Sequence, residues 1–220
     1  MSLLMFNHDV ESVVIVTDTL ATTPDGEALM FQSKAWALPH INMAMAVTGI
    51  ANLGAAWNEF LRSSAIVQDI QMVNNFAPEQ LRLIWQEMLA EATPEVSMHA
   101  TVYHFGFEAG ADRPIRYVYR STRNFEPERI EESGFGVKPT PGPSSFAAPE
   151  TLDEFIELAL RIRTEQDELP PGERIYIGGE LYLLHLRNWQ SQIARIHRFD
   201  DFDDSWREMI TRLNREQGIA

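Results

Sequence analysis

Val13-Val14-Ile15-Val16-Thr17-Asp18-Thr19-Leu20-Ala21-Thr22 is the stretch that decides how this chain is read. Five β-branched residues in a row, closed by a carboxylate, predict a strand that ends on a charge. Upstream, the apolar run Leu3 to Phe6 is closed by Asn7-His8-Asp9, so the two runs read as an antiparallel hairpin. Downstream, Thr23-Pro24-Asp25-Gly26 reads as a turn, because Pro, Asp and Gly each favour reversal for a separate reason. Leu29 to Leu38 and Met43 to Thr48 read as further strands separated by Pro39-His40. Within the second, Ala44-Met45-Ala46-Val47 has no polar residue, as expected of a strand covered on both faces.

The period then changes. Leu53, Ala56, Trp57, Phe60 and Leu61 recur at helical spacing, and Leu81, Ile84, Trp85, Met88 and Leu89 form a second stripe, with Pro78 placed in that helix's first turn. Strands return at 98–107 and 115–121 around the turn-rich Gly110-Ala111-Asp112-Arg113-Pro114. Pro139, Pro141, Pro143 and Pro149 make 139–149 a loop. Thr151 starts a helix with Asp153 and Glu154 in its first turn, where the helix dipole favours acids. Residues 174–187 and 192–199 predict a last pair of strands, and Asp203-Asp204-Ser205 leads into a terminal helix ending near Gly218. No period of repetition is present, which excludes a solenoid or propeller. Strands, two helices, strands, a helix, strands and a helix fit an α+β protein in which two antiparallel sheets stack with helices outside. The same layers resume after the Pro-rich loop, so one domain over 1–220 is expected.

Composition narrows the function classes. The chain has 220 residues, 45% hydrophobic and 23% charged, enough for a substantial core. Its formal charge of −14 argues against partners that are nucleic acids or anionic membrane surfaces. Zero cysteines exclude disulfides, thiolate zinc sites and a cysteine nucleophile, and suit a reducing cytoplasmic compartment. No apolar run approaches the roughly 20 residues of a membrane helix, and the N-terminus lacks the basic region of a secretory signal.

Three residues carry candidate chemistry. Removal of Met1, which a small second residue permits, would leave Ser2 with a free amine beside its hydroxyl. An α-amine titrates near pH 8, so it can take the proton of its own hydroxyl and activate it. Ser is also common at this position, and a Met-Ser-Leu start can be an expression-vector remnant. Lys34 is one of only two lysines, against 16 arginines, and sits in Gln32-Ser33-Lys34-Ala35-Trp36 with few charges nearby. An ammonium there needs a carboxylate and could lower the effective pKa of a neighbouring hydroxyl or amine. Asp18, at its strand end, can pair with Lys34 and orient it; it could equally cap a turn.

Ser2, Asp18 and Lys34 are spaced sixteen and sixteen residues apart, and Gly49 follows fifteen later at a strand-to-helix turn. That pattern resembles the proteasome β-type family, including the peptidase subunit of the bacterial ATP-dependent protease, which are N-terminal-nucleophile hydrolases. Ile15 to Thr22 looks like the family's strand, Asp and following Thr; Met45-Ala46-Val47-Thr48-Gly49 looks like its strand entering the first helix. The resemblance implies a four-layer αββα sandwich and hydrolysis of a peptide or amide substrate. By that resemblance Ser2 is the nucleophile, Asp18 and Lys34 form the charged pair, and Gly49 helps form the oxyanion hole. Asp167 resembles a second supporting acid, and Ser133-Gly134 the Ser-Gly that completes the site. Homo-oligomeric rings are implied, an ATPase partner is left open, and no cofactor or metal is expected. The chain departs from the pattern with Ser for Thr at the nucleophile, Thr19 for a small Gly or Ser, and Pro170 for a helper Ser. These departures favour a second possibility, a noncatalytic assembly protein that keeps the fold.

Other constellations read as structural. His99 and His104 share a predicted strand on opposite faces, while His185 and His197 lie on separate strands without carboxylate spacing for zinc. Asp200, Asp201, Asp203 and Asp204 lack the Gly and closing Glu of a calcium loop. Gly134-Phe135-Gly136 is too short for a nucleotide fingerprint, and Trp57 and Trp85 sit on apolar stripes that predict core.

Overall fold

The computed structural model describes residues 2–23, 25–64, 67–91, 99–142 and 147–218. Met1, the Pro24 of the predicted turn, Met98 at the expected strand start and residues 143–146 of the Pro-rich loop lie outside the described residues. The leading hairpin is β1 (Leu4–His8) and β2 (Ser12–Asp18), antiparallel with Leu4 opposite Thr17 and His8 opposite Val13. A short hairpin follows, β3 (Leu20–Thr22) and β4 (Ala28–Phe31). Then come β5 (Ala35–Leu38), β6 (Met43–Thr48), α1 (Ala51–Ser63) and α2 (Ile70–Glu91). Strands β7 (Thr101–Gly106), β8 (Ile115–Arg120), β9 (Pro127–Ile130) and β10 (Gly134–Lys138) lead to α3 (Leu152–Asp167). The chain finishes with β11 (Glu180–Arg187), β12 (Gln190–Arg198) and α4 (Phe202–Glu216).

Two five-stranded sheets result, in the orders β10-β1-β2-β11-β12 and β5-β6-β7-β8-β9, and all their pairings are antiparallel. Side-chain alternation divides the apolar residues into cores on both faces of each sheet. Leu4, Phe6, Val13 and Ile15 of the first sheet meet Ala44, Ala46, Tyr103 and Phe105 of the second. Met43, Met45 and Val47, on the other face of β6, pack against Leu53, Trp57 and Leu81 of α1 and α2. Leu3, Met5 and Val16 pack against Phe155, Leu158 and Ile162 of α3. Every residue of β6 is buried, as its unbroken apolar run predicts.

Several sequence expectations are corrected. The expected strand from Leu29 to Leu38 is two strands, β4 and β5, broken at Gln32-Ser33-Lys34 and belonging to different sheets. Helix α2 begins at Ile70, so Pro78 is in its interior rather than its first turn. Asp69 sets that start by accepting from the Met72 amide at 2.8 Å, and Ile70, Val73 and Ala77 extend the buried stripe. Residues 174–179 are not strand: Ile175 donates its amide to the Gln166 side chain and the Arg174 guanidinium donates to the Leu169 carbonyl, which ties this segment to the end of α3. Thr151 forms a capping box with Glu154 as its composition suggests, the two backbone–side-chain bonds measuring 3.3 and 2.9 Å. Trp57 is fully buried, and half-buried Trp85 packs edge-on to Phe125.

Candidate active site

Strand β2 delivers Asp18 to the end of the first sheet, and the break between β4 and β5 delivers Lys34 to the corner between the sheets. The Lys34 ammonium donates to Asp18 Oδ1 at 2.8 Å and to the Leu20 carbonyl at 2.6 Å. Asp18 is 0% exposed and Lys34 4%. A carboxylate this deep needs further donors. It has them: the Leu3 amide donates to Oδ1 at 3.0 Å and the Gly178 amide to Oδ2 at 3.3 Å. Burial pushes the Lys34 ammonium down from its ordinary pKa, with the Asp18 charge and hydrogen bond opposing that shift. Two of its three protons have acceptors, which leaves one donor for a group in the adjoining cleft.

That cleft is lined by Ser2, Lys34, Gly49 and the neighbours Gln32, Ser33, Trp36, Val47 and Ile50. Ser2 is itself buried, one residue before the Leu3 amide that binds Asp18. Gly49 has φ +106°, and a Cβ there would lie 2.0 Å from the His99 carbonyl oxygen, so no other residue fits without moving backbone. It directly precedes Ile50, the N-cap of α1, and so forms the turn from β6 into that helix.

The structure thus brings together Ser2, Asp18, Lys34 and Gly49. Ser133 and Asp167 are not among the residues that line the cleft. Gly134 pairs with His8 while Lys138 pairs with Leu4, so Ser133 is exposed at the far end of β1. Six strand positions from Ser2 to His8 amount to about 20 Å. The antiparallel direction of β10 puts Lys138, not Ser133, at the Ser2 end, where its ammonium donates to Thr101 Oγ1 at 3.1 Å. Asp167 is exposed at the end of α3, with its carboxylate 3.6 Å from Arg163. Pro170 is likewise exposed.

Sequence reasoning missed Gly178 and Gly179. The first supplies an amide to Asp18; the second, at φ +77°, leaves room for the Thr19 hydroxyl, which a Cβ would approach to 2.4 Å. Thr19 Oγ1 in turn accepts from the Glu180 amide at 2.9 Å, so the departure at position 19 is absorbed by this glycine pair. A Gly-Gly dipeptide just before a strand was the available signal.

The histidines do not gather. His104 is fully buried on β7 and accepts from Trp57 Nε1 at 2.7 Å; burial pulls its pKa down to about 3. Among the described residues no group of three or more His, Cys, Asp and Glu could hold a metal ion, and no helix is long and apolar enough to cross a membrane. A larger cavity of about 450 Å³ lies at the other end of β6, lined by Asn42, Asp69, Phe107, Asp112 and Trp189 among others. Asn42 and Gly49 bracket that strand, so the cavity is about 20 Å from Gly49, and among the described residues no Ser, Thr or Lys lines it. The smaller cleft, not this cavity, is lined by Ser2, Lys34 and Gly49.

No family model matches the chain and no curated protein matches it in sequence. Solved structures do. The chain folds like Anbu. Anbu of Yersinia bercovieri, described as an ancestral beta-subunit, superposes with TM-score 0.61 at 10% identity, over 99% of this chain and 95% of that one. The helical assembly of the Anbu complex from Pseudomonas aeruginosa gives TM-score 0.63 at 11% identity, over 99% and 96%. Anbu of Hyphomicrobium sp. strain MC1 gives 0.58 at 12% identity, over 96% of each chain. At such identities the likeness to Anbu is one of fold.

Proposed function

We propose that this chain is a proteasome-like N-terminal-nucleophile hydrolase, a single four-layer αββα domain over 1–220 that cleaves peptide or amide bonds through Ser2 after loss of Met1. The observation that carries this reading is the buried Lys34–Asp18 pair opening onto the same cleft as Ser2 and Gly49. The Ser2 amine takes the hydroxyl proton as oxygen attacks the substrate carbonyl. The remaining Lys34 donor stabilises the charge on Ser2 Oγ, while Asp18 holds the ammonium in place. The developing oxyanion lies against the Gly49 amide. Collapse transfers the amine's proton to the leaving nitrogen and leaves an ester on Ser2. Water, deprotonated by the same amine, then hydrolyses that ester and restores the enzyme. Assembly of copies belongs to this proposal; the Anbu complex of Pseudomonas aeruginosa is a helical assembly.

The test is intact-mass spectrometry of untagged protein after exposure to a β-lactone, with Ser2→Ala alongside. Loss of Met1 and one adduct absent from the variant support the mechanism. Retention of Met1, or an adduct that persists in Ser2→Ala, sinks it. One observation favours the second reading, a noncatalytic assembly protein with this fold: neither Ser133 nor Asp167 lines the cleft. A chain that loses Met1, takes no label and still assembles would establish that reading.

A further inference from the structure

We propose that the Trp36 indole sets the size of the group accepted beside Ser2, restricting the residue on the acyl side of the scissile bond to glycine or alanine. This deepens the hydrolase reading above and rests on it. The substituent on an attacked carbonyl carbon lies within a few ångströms of the nucleophile while the carbonyl oxygen faces its donor. With Ser2 and Gly49 on one cleft, that substituent must enter the space between Gln32, Trp36, Val47 and Ile50. The whole cleft, with Ser2, Lys34 and Gly49 in its lining, holds only about 10 Å³, the room one water needs. A methyl group fits with small adjustments; a benzyl or isobutyl group does not.

Trp36 is what fills it. On β5 it pairs with Met45 and faces α1. There its ring tip occupies a notch left by Gly54: a Cβ on that residue would lie 2.5 Å from Trp36 Cη2, 2.8 Å from Cζ3 and 3.2 Å from Val47 Cβ. Glycine is a poor helix former, and in α1 its missing side chain is what lets the indole seat against the helix. An indole held between Gly54 and the strand is a wall rather than a loose cover. Shortening residue 36 therefore opens the cleft without touching Ser2, Lys34, Asp18 or Gly49.

The test compares wild type with Trp36→Ala and with Trp36→Leu, which retains apolar cover for α1. Turnover is read with fluorogenic peptide amides that differ only in Ala or Phe before the scissile bond. Binding is read separately in a Ser2→Ala background, by fluorescence anisotropy of dye-labelled peptides ending in Ala or Phe. Wild type should prefer Ala by about 100-fold or more, the scale a closed pocket imposes on groups several carbons too large. Both variants should lower that ratio at least ten-fold, mainly by gaining the Phe peptide. A ratio unmoved within two-fold in both variants, with turnover present, overturns the role of Trp36 and leaves the hydrolase reading standing. A shifted binding ratio without turnover in any Ser2-containing protein supports Trp36 and overturns the hydrolase reading. Neither turnover nor binding in any variant overturns both.

Discussion

Replacing Lys34 with Met should destabilise the protein strongly. The substitution keeps the unbranched stem but removes the cation from a carboxylate that is fully buried. Asp18 would retain the Leu3 and Gly178 amides as donors, yet its charge would have no counter-ion. Removing one partner of a buried ion pair costs about 3–5 kcal/mol. For a chain of this length each kcal/mol moves Tm by about 2–4 °C, so a fall of roughly 6–20 °C is expected. Asp18→Asn combined with Lys34→Met should lose less than the sum of the single changes, because no stranded charge is left. Differential scanning calorimetry at pH 7 reads both variants. A Lys34→Met protein within 2 °C of wild type would refute the reasoning.

Gly49→Ala should lower stability by about 2 kcal/mol or more, since φ +106° and the His99 carbonyl both reject a Cβ; urea midpoints measure it, and an unchanged midpoint would contradict the placement. His104, held down to about 3, stays neutral when folded but gains a proton when unfolded below about pH 6.5. Its contribution to stability is therefore present above that pH and lost as pH falls, by roughly 2–3 kcal/mol at pH 4.5. His104→Gln, which retains an acceptor for Trp57, should show a shallower acid decline in urea titrations by that amount; a parallel decline would assign the effect elsewhere. Ser133→Ala and Asp167→Asn should leave β-lactone labelling of Ser2 within about two-fold of wild type, because neither side chain is at the cleft. A loss of more than ten-fold in either would mean that it reaches Ser2.

Legibility in the sequence tracks how local each feature is. The hairpin of β1 and β2 was legible because its turn and both apolar runs lie within fifteen residues, and β6 because burial on both faces leaves no polar position. Strands β9 and β10 were not: Pro127–Ile130 opens on a proline and carries Glu128 and Arg129, while Gly134–Lys138 carries two glycines and gains its strand character from β1, far away in sequence. Without β10, its direction along β1 was hidden, and Ser133 could be set beside Ser2 when it belongs at the opposite end. Asp18 and Lys34 were legible as a pair because rare charges in apolar surroundings need each other. The glycines that complete Asp18's shell were not, because their reason is a contact across about 160 residues.

The break at Gln32-Ser33-Lys34 explains why a charged pair can be this deep at all. Apolar spacing runs on from Leu29 to Leu38, and nothing local demands a stop; the stop comes from tertiary demand. The Gln32 amide bonds back to the Thr19 carbonyl at 2.9 Å, and the Lys34 carbonyl accepts from the Val47 amide at 2.9 Å. One end of the tripeptide therefore closes the β3–β4 hairpin and the other opens the second sheet. A residue at that junction belongs to neither sheet's alternation, so its side chain enters the corner between them. An apolar residue there would leave Asp18 without a counter-ion, and an arginine would have to fit a larger planar head between Asp18 and the Leu20 carbonyl. Lysine meets both acceptors with a compact head and retains a third donor. The same residue that lets the chain pass from one sheet to the other is thus the one that lends the cleft its charge.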